Sequence, residues 1–409
     1  MKKSKIIEAA FKVWGRNLYR KTSLSQLASE LGVSKPALYR HFLNKKALTD
    51  AMTESFFDDL ASHIKADFEK ALQTKDTDEG IFIIVQSIAG FFARNVYALI
   101  FSLVNIYDRN LSGRTISEHI KARGADMETM HLVADKKYHS NSAIQQLIFA
   151  SLTFYMSFFH KKNDYFEETL AENQIRKVIL TIYEVIEHGL GFSADHVSAL
   201  DFEKLEKQVD GTIYSEEPQP LFKAVAEAVA EAGPWDASME MVAKRMGLSK
   251  SSLYGHFKNR KDMIRRLFIT EFKRMLDFAH QGIKLSKDTA EQLYLGIYSI
   301  AFYLRLRPEV LVAIGWIRTR KLDLGKPEKQ MDFFKLFEDI KIEAFKNASD
   351  EDKQAASHWI LFLLINTLTR PYLSEHEWQT ESIVKSVKNT DIRMLYKFIT
   401  LGLGGFTKC

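Results

Sequence analysis

The feature that most constrains this chain is an internal repeat. Gly32-Val33-Ser34-Lys35-Pro36-Ala37-Leu38-Tyr39-Arg40-His41-Phe42 returns as Gly247-Leu248-Ser249-Lys250-Ser251-Ser252-Leu253-Tyr254-Gly255-His256-Phe257, at an offset of 247 − 32 = 215. In the same register Ser23 meets Ser238, Ala28 meets Ala243, Asn44 meets Asn259 and Lys46 meets Lys261, while Leu24, Leu27 and Leu31 meet the apolar Met239, Val242 and Met246. Agreement of this kind without a gap means that one structural solution is used twice. Upstream, Ile6, Ile7, Ala10 and Trp14 fall on one helical face and correspond to Leu221, Phe222, Val225 and Val229, so the repeat includes a preceding helix. Near the far ends, Ile182-Tyr183-Glu184-Val185-Ile186 before Gly189-Leu190-Gly191 matches Leu395-Tyr396-Lys397-Phe398-Ile399 before Gly402-Leu403-Gly404, at 395 − 182 = 213. The duplicated unit spans essentially the whole chain.

Helical periodicity recurs throughout and nothing alternates like strands for long, so the expected fold is all-α. A chain of 409 residues exceeds what one core ordinarily serves and divides naturally at the repeat. The expected domains are a first head at 1–50, a first helical body at 51–192, a linker at 193–219, a second head at 220–265 and a second body at 266–409. The linker region holds acidic residues, Gly211, Pro218 and Pro220, with a short helix expected around Phe202 to Gln208. Its roughly 28 residues would reach on the order of 90 Å if fully extended.

Composition narrows the function classes. The formal charge of +5 is modest for this length, so the position of the Lys and Arg residues carries more information than their excess. The single cysteine, Cys409, leaves no intrachain disulfide or thiolate cluster and fits a reducing, cytoplasmic setting. Glu8 and Lys12 interrupt the stretch after Met1-Lys2-Lys3 that a secretory signal would need to be apolar. Ile81 to Tyr107 is the most membrane-like segment, but Gln86, Arg94 and Asn95 break it, and it reads as one or two buried core helices with no membrane partner expected. There is no Gly-rich phosphate loop, no closely spaced His and carboxylate set and no Ser elbow, so neither an enzyme nor a bound cofactor or metal is expected.

The repeated segment carries its own local instructions. Ser23 is placed to cap a short helix burying Leu24, Leu27, Ala28 and Leu31, and Gly32 supplies a left-handed residue for a tight turn. Ser34 is placed to cap a second helix whose first turn tolerates Pro36, and Asn44 to cap a third. Leu38 and Phe42, four apart, bury together, leaving Lys35, Ala37, Tyr39 and Arg40 on other faces. Two helices joined by a Gly-containing turn, the second with a basic and polar surface, make a helix-turn-helix.

The string Gly-Val-Ser-Lys-X-X-Leu-Tyr-X-His-Phe-X-Asn-Lys after an apolar helix resembles the signature of the tetracycline-repressor family of transcriptional regulators, here in two whole copies. The resemblance implies a three-helix head and a larger effector-binding and dimerisation body in each unit. Double-stranded DNA is the implied partner. Lys35, Pro36, Ala37 and Arg40 would face bases, with Ser23, Tyr39, His41 and Lys45 on phosphates. Their counterparts would be Lys250, Ser251 and Ser252, with Ser238, Tyr254, His256 and Arg260 on phosphates. Arg40 becomes Gly255, which removes a guanine-reading fork, so the second head is expected to grip phosphate through nearby Lys244, Arg245, Lys258, Lys261, Arg265 and Arg266 while discriminating bases poorly.

For the bodies, the resemblance implies a small apolar or aromatic effector, with Phe91, Phe101, Phe154 and Phe158 in the first and Phe302, Trp316 and Trp359 in the second as pocket candidates. It also implies a repressor reading an imperfect palindrome. The two units of one chain would form an intramolecular pseudo-dimer, the helices around Ala143 to Phe159 and Gln174 to Gly189 facing those around Ala355 to Arg370 and Glu381 to Leu401. A homodimer with four heads stays open at this stage. So does a ligand-binding or protein-interaction module whose degenerate second head does not bind DNA specifically.

Overall fold

The structure, a computed structural model, describes residues 2–16, 23–105, 116–162, 171–211, 220–311, 336–337, 340–369 and 387–408. Their regular structure is helical, the one β-type feature being an isolated antiparallel bridge between Tyr138 and Thr407. The chain divides into two compact units, one formed by Met1–Glu187 with Phe406–Cys409 and the other by His188–Gly405.

In the first unit, α1 (Lys3–Arg16), α2 (Leu24–Glu30) and α3 (Lys35–Tyr39) form the head. The long α4 (Lys45–Gln73) leads into a body of α5 (Thr77–Arg94), α6 (Val96–Asn105), α7 (Ile116–Lys121), α8 (Thr129–Ala134), α9 (Ser142–Lys162) and α10 (Glu172–His188). The apolar segment 81–107 is largely α5 and α6, which bend by 104° at their junction. Both helices bury large parts of their surface in this unit. Among the described residues one helix segment, Ser142–His160 within α9, is long and apolar enough to cross a membrane, and half of it is buried within the protein.

Residues 406–408 complete this first unit. The His139 amide donates to the Phe406 carbonyl at 2.6 Å, the Lys408 amide donates to the Lys137 carbonyl at 2.9 Å, and Lys408 Nζ lies 3.0 Å from an Asp135 carboxylate oxygen.

The second unit begins with α11 (Ala194–Ser198) and α12 (Phe202–Asp210), inside the segment expected as a linker. Its head is α13 (Pro220–Asp236), α14 (Met239–Met246) and α15 (Lys250–Tyr254). Its body contains α16 (Arg260–Ile283), α17 (Thr289–Leu306), α18 (Asp350–Thr369) and α19 (Asn389–Leu401). The helix in the expected linker is integrated into the core: Leu205 and Val209 are buried, and Glu206 is only 4% exposed. The Glu206 carboxylate accepts from Arg393 at 2.8 Å through both oxygens, from Tyr294 Oη at 2.6 Å and from Asn389 Nδ2 at 2.8 Å. Four donors offset the desolvation of one carboxylate, which is why a charged residue can sit beneath the helix.

The repetition runs deeper than the strings that announce it. Asp76 caps α5 by accepting from Asp78 and Glu79 amides, and Asp288 caps α17 by accepting from Ala290 and Glu291 amides, an offset of 288 − 76 = 212. Tyr183 Oη donates to the Asp78 carbonyl at 3.2 Å while Tyr396 Oη donates to the Ala290 carbonyl at 2.8 Å. The ring of Tyr183 stands edge-on to Phe82 at 5.0 Å, and that of Tyr396 edge-on to Tyr294 at 5.1 Å. Each body therefore ties its last helix to the start of its central helix by the same bond.

Desolvation opposes ionisation of Glu206, but hydrogen bonds from Arg393, Tyr294 and Asn389 outweigh it and hold its carboxyl below the usual range. A carboxylate whose folded pKa is depressed stabilises the fold above its unfolded value of about 4.5 and loses that contribution as pH falls through the folded value. Replacing Arg393 by Ala should cost the second unit about 2–3 kcal/mol at neutral pH, discounted for the partial exposure of the arginine. Urea unfolding across pH should also show the stability gap between parent and variant narrowing as pH falls below about 4.5, because protonation of Glu206 removes from the parent the pairing that the variant already lacks.

Candidate nucleic-acid interface

Each head is built on three short helices around a small apolar centre. In the first, Ile6, Ala10 and Trp14 from α1 meet Leu24, Leu27 and Ala28 from α2, with Leu38 and Phe42 closing the base, all buried. In the second, Val225 and Val229 take the α1 positions, followed by Met239, Val242, Ala243, Leu253 and Phe257. Caps decide where the helices start. Ser23 Oγ accepts from the Gln26 amide at 3.2 Å while Gln26 Oε1 accepts from the Ser23 amide at 2.7 Å, a reciprocal box. Ser238 Oγ accepts from the Met241 amide at 3.2 Å. Ser34 and Ser249 cap the reading helices through the amides of Ala37 at 3.3 Å and Ser252 at 3.1 Å. Asn44 and Asn259 cap α4 and α16.

The turn between the two helices is also duplicated. Gly32 and Gly247 both have φ of 63°, a left-handed conformation that costs a side-chain-bearing residue about 1–2 kcal/mol. Beyond it the Val33 amide donates to the Ala28 carbonyl and the Leu248 amide to the Ala243 carbonyl, each at 2.9 Å. These closures leave α3 and α15 with one buried leucine apiece and the rest of their surface facing outward.

On the first head Lys35, Pro36, Tyr39, Arg40 and His41 are exposed and Ala37 is half-buried. Tyr39 keeps 45% of its surface, unusual for an aromatic side chain in so small a unit. Neither Lys35 nor Arg40 has an ion-pair partner among the described residues, so their charge is directed at solvent or a ligand. Ser23 and Ser238 use their oxygens as cap acceptors, which still leaves each hydroxyl hydrogen able to be donated. Lys45 is folded so that Nζ stands 5.2 Å from the centre of the Trp14 ring, and burial lowers its pKa. In the second head Arg260 matches Lys45, and Val229 stands at the position of Trp14.

The second head presents less. Lys250, Ser251, Ser252, Tyr254 and His256 are exposed, Tyr254 at 51%. Ser252 Oγ, however, lies 2.9 Å from the capping Ser249 Oγ and is engaged within the helix. Among the surrounding cations, Arg245 pairs with Glu231, and Arg266 pairs with Asp262 at 3.2 Å while donating to the His256 carbonyl at 3.3 Å. Both are expected from the sequence to help grip phosphate; their carboxylate partners lie 14 and four residues away, and only the four-residue spacing on one helix is legible in the sequence.

In the bodies, Phe91 and Phe101 are buried around Phe56, at 6.3 and 5.5 Å between ring centres. Phe154 and Phe158 are half-buried and stacked at 6.0 Å, and Phe302 stacks on Phe278 at 5.9 Å. Trp359 is fully buried; Trp316 lies outside the described residues. Among the described residues no three His, Cys, Asp or Glu side chains are grouped to hold a metal ion.

Gly255 sits at φ −68° and ψ −25°, ordinary right-handed backbone, and Arg40 occupies the same conformation at −66° and −24°. Nothing in the backbone requires glycine at 255, in contrast to 247. Gly255→Ala should therefore stabilise the chain by about 0.4–1 kcal/mol, and Gly247→Ala should destabilise it by about 1 kcal/mol or more. Paired thermal unfolding curves of the two variants check both signs.

Comparison with known proteins matches residues 6–52 and 221–267 to the family model described as bacterial regulatory proteins, tetR family. A 76-residue stretch is 36% identical to the nucleoid occlusion factor SlmA of Citrobacter koseri, and equally to those of Salmonella typhi and Klebsiella pneumoniae subsp. pneumoniae. That stretch is 19% of this chain and spans 37% of the length of each relative. The head of the tetR family of bacterial regulatory proteins is thus present twice in this chain, at the positions where the two capped helix-turn-helix units stand.

Proposed function

We propose that this chain is a transcriptional repressor whose two heads read the two halves of one imperfect palindrome, and that a small apolar or aromatic effector releases it. The observation that carries the reading is the pair of reading helices α3 and α15. They are capped by the same serines and closed by the same left-handed glycines, and they expose Lys35 with Arg40 on one and Lys250 on the other. Supplying both heads from one chain replaces association of two subunits by an intramolecular event, with an effective concentration that reaches millimolar for a suitable tether. Two major-groove helices on one face of DNA must stand about 34–36 Å apart, so a modest change in head spacing suffices to weaken simultaneous binding. Lys35, Pro36, Ala37 and Arg40 read bases in the strong half, with Tyr39, His41, Lys45 and Ser23 on its phosphates. Lys250 and Ser251 read the weak half with what Ser252 retains, while Ser238, Tyr254, His256 and Arg260 hold its backbone.

Selection of bound sequences from random duplex DNA by the intact chain tests this, repeated with Arg40→Ala and Lys250→Ala. An imperfect palindrome should emerge, and Arg40→Ala should cost about 1–3 kcal/mol at one base position of the strong half, since a bidentate arginine contact is worth that much. Lys250→Ala should degrade the other half only. If both substitutions erode the same half, one head alone does the reading; if nothing is enriched at low salt, the operator reading fails.

A further inference from the structure

The face that α12 covers in the second unit is open in the first. Phe202 of α12 lies on the ring pair Tyr294–Tyr396, its ring centre 4.7 and 5.8 Å from theirs, and both tyrosines are fully buried. At the matched positions the first unit has Phe82 and Tyr183 in the same edge-on geometry, but both are only half-buried, and no third ring joins them among the described residues. One turn before Tyr183, Leu180 keeps 42% of its surface exposed. Arg176, a further turn back on α10, and Gln86, a turn after Phe82 on α5, are exposed as well. Arg176, Leu180 and Glu184 border an open cleft along α10, whereas the residues that bury this helix, Ile175, Ile179, Ile182 and Ile186, form a different stripe.

The two faces also differ in what they offer a carboxylate. Glu206 of α12 is held by Tyr294, Arg393 and Asn389. Their counterparts in the first unit are Phe82, Leu180 and Arg176, so a hydroxyl and a guanidinium have given way to a ring and an aliphatic side chain, and one exposed cation remains.

We infer that the α5–α10 face of the first unit is a docking site for a short amphipathic helix of another protein, lying there as α12 lies on α17 and α19. The occupant seats a ring on Phe82 and Tyr183 and places an apolar side chain over Leu180, where α12 has Glu206. The inference stands apart from the operator and effector readings. A helix as short as the nine residues of α12 is long enough to make these contacts, since α12 makes the equivalent ones. α12 itself is unsuited to the first face, because there Glu206 would be covered without the donors of Tyr294 and Arg393, and a carboxylate short of donors resists burial.

The test is fluorescence anisotropy of the intact chain with two labelled peptides, residues 200–211 and the same segment with Glu206→Leu. Each is held helical by a lactam between Glu203 and Lys207, which are exposed and four residues apart. The Glu206→Leu peptide should bind once per chain, about tenfold or more tighter than the unaltered peptide. Leu180→Glu in the chain should weaken it by at least as much. Phe82→Tyr combined with Leu180→Arg rebuilds the donors of the second unit and should reverse the preference between the peptides. Far-UV circular dichroism establishes that each variant is folded. Absence of binding by the Glu206→Leu peptide up to about 1 mM overturns the inference. Binding that is unchanged by Leu180→Glu does so too, because the peptide then sits elsewhere. If the unaltered peptide binds as tightly or more tightly, α12 of a second copy of this chain fits the face and the foreign helix is overturned.

Discussion

Both reading helices depend on one interaction, the bond from a backbone amide to the hydroxyl of the serine that precedes the helix. Lys35–Tyr39 and Lys250–Tyr254 are five residues each, far below the length at which a helix holds itself together in water. What holds them is the cap at one end and, at the other, burial of Leu38 with Phe42 or Leu253 with Phe257 under the preceding helices. The left-handed glycine then sets the angle between the two helices. An exposed, basic surface follows from this arrangement because Leu38 and Leu253 are the one fully buried residue in each helix. The head is a way of holding a scarcely stable helix in a fixed place so that its outward residues are free for a partner.

Much of this was legible in the residue string. Ser, Thr, Asn and Asp before an apolar periodic run are local signals, so the caps at Ser23, Ser34 and Asn44 and the turn at Gly32 can be read from neighbours three or four residues apart. The duplication was equally plain where strings repeat. What the string did not reveal are bonds between distant charged residues. Glu206 looks like the solvent face of an amphipathic helix until Arg393, 187 residues on, and Tyr294, 88 residues on, are found against it. Glu271 and Arg307, both buried and 3.2 Å apart, look like ordinary surface charges for the same reason. The available signal was comparison of the copies: Glu271 matches Phe56, and a glutamate at a position that is phenylalanine in the other copy, on the buried face of a matched helix, points to a buried charge that must have a partner.

The two copies also show which parts of a fold resist change. Bonds aimed at the backbone have been retained: serine and aspartate caps, the tyrosine that donates to the first turn of the central helix, the glycine turns. Side chains that merely fill space or face solvent have been exchanged, tryptophan for valine at the Trp14 and Val229 positions, arginine for glycine on the reading helix, Phe56 for the buried Glu271. A backbone bond has one acceptable geometry, whereas a core position accepts any group whose volume and pairing are supplied by its surroundings. Divergence of the copies has therefore been free to make them unequal without disturbing the frame.

The strip formed by residues 406–408 belongs to the first unit although it is added to the chain after the whole second unit. During synthesis, at about 5–20 residues per second, residues 135–139 wait roughly 10–40 s for it after residue 187 has been joined. For that interval the first unit lacks the amide and carbonyl partners that the strip provides. A nascent chain interrupted anywhere in its second half thus carries a head that is complete on a body that is not, and ribosomal timing becomes part of how this molecule reaches its finished state.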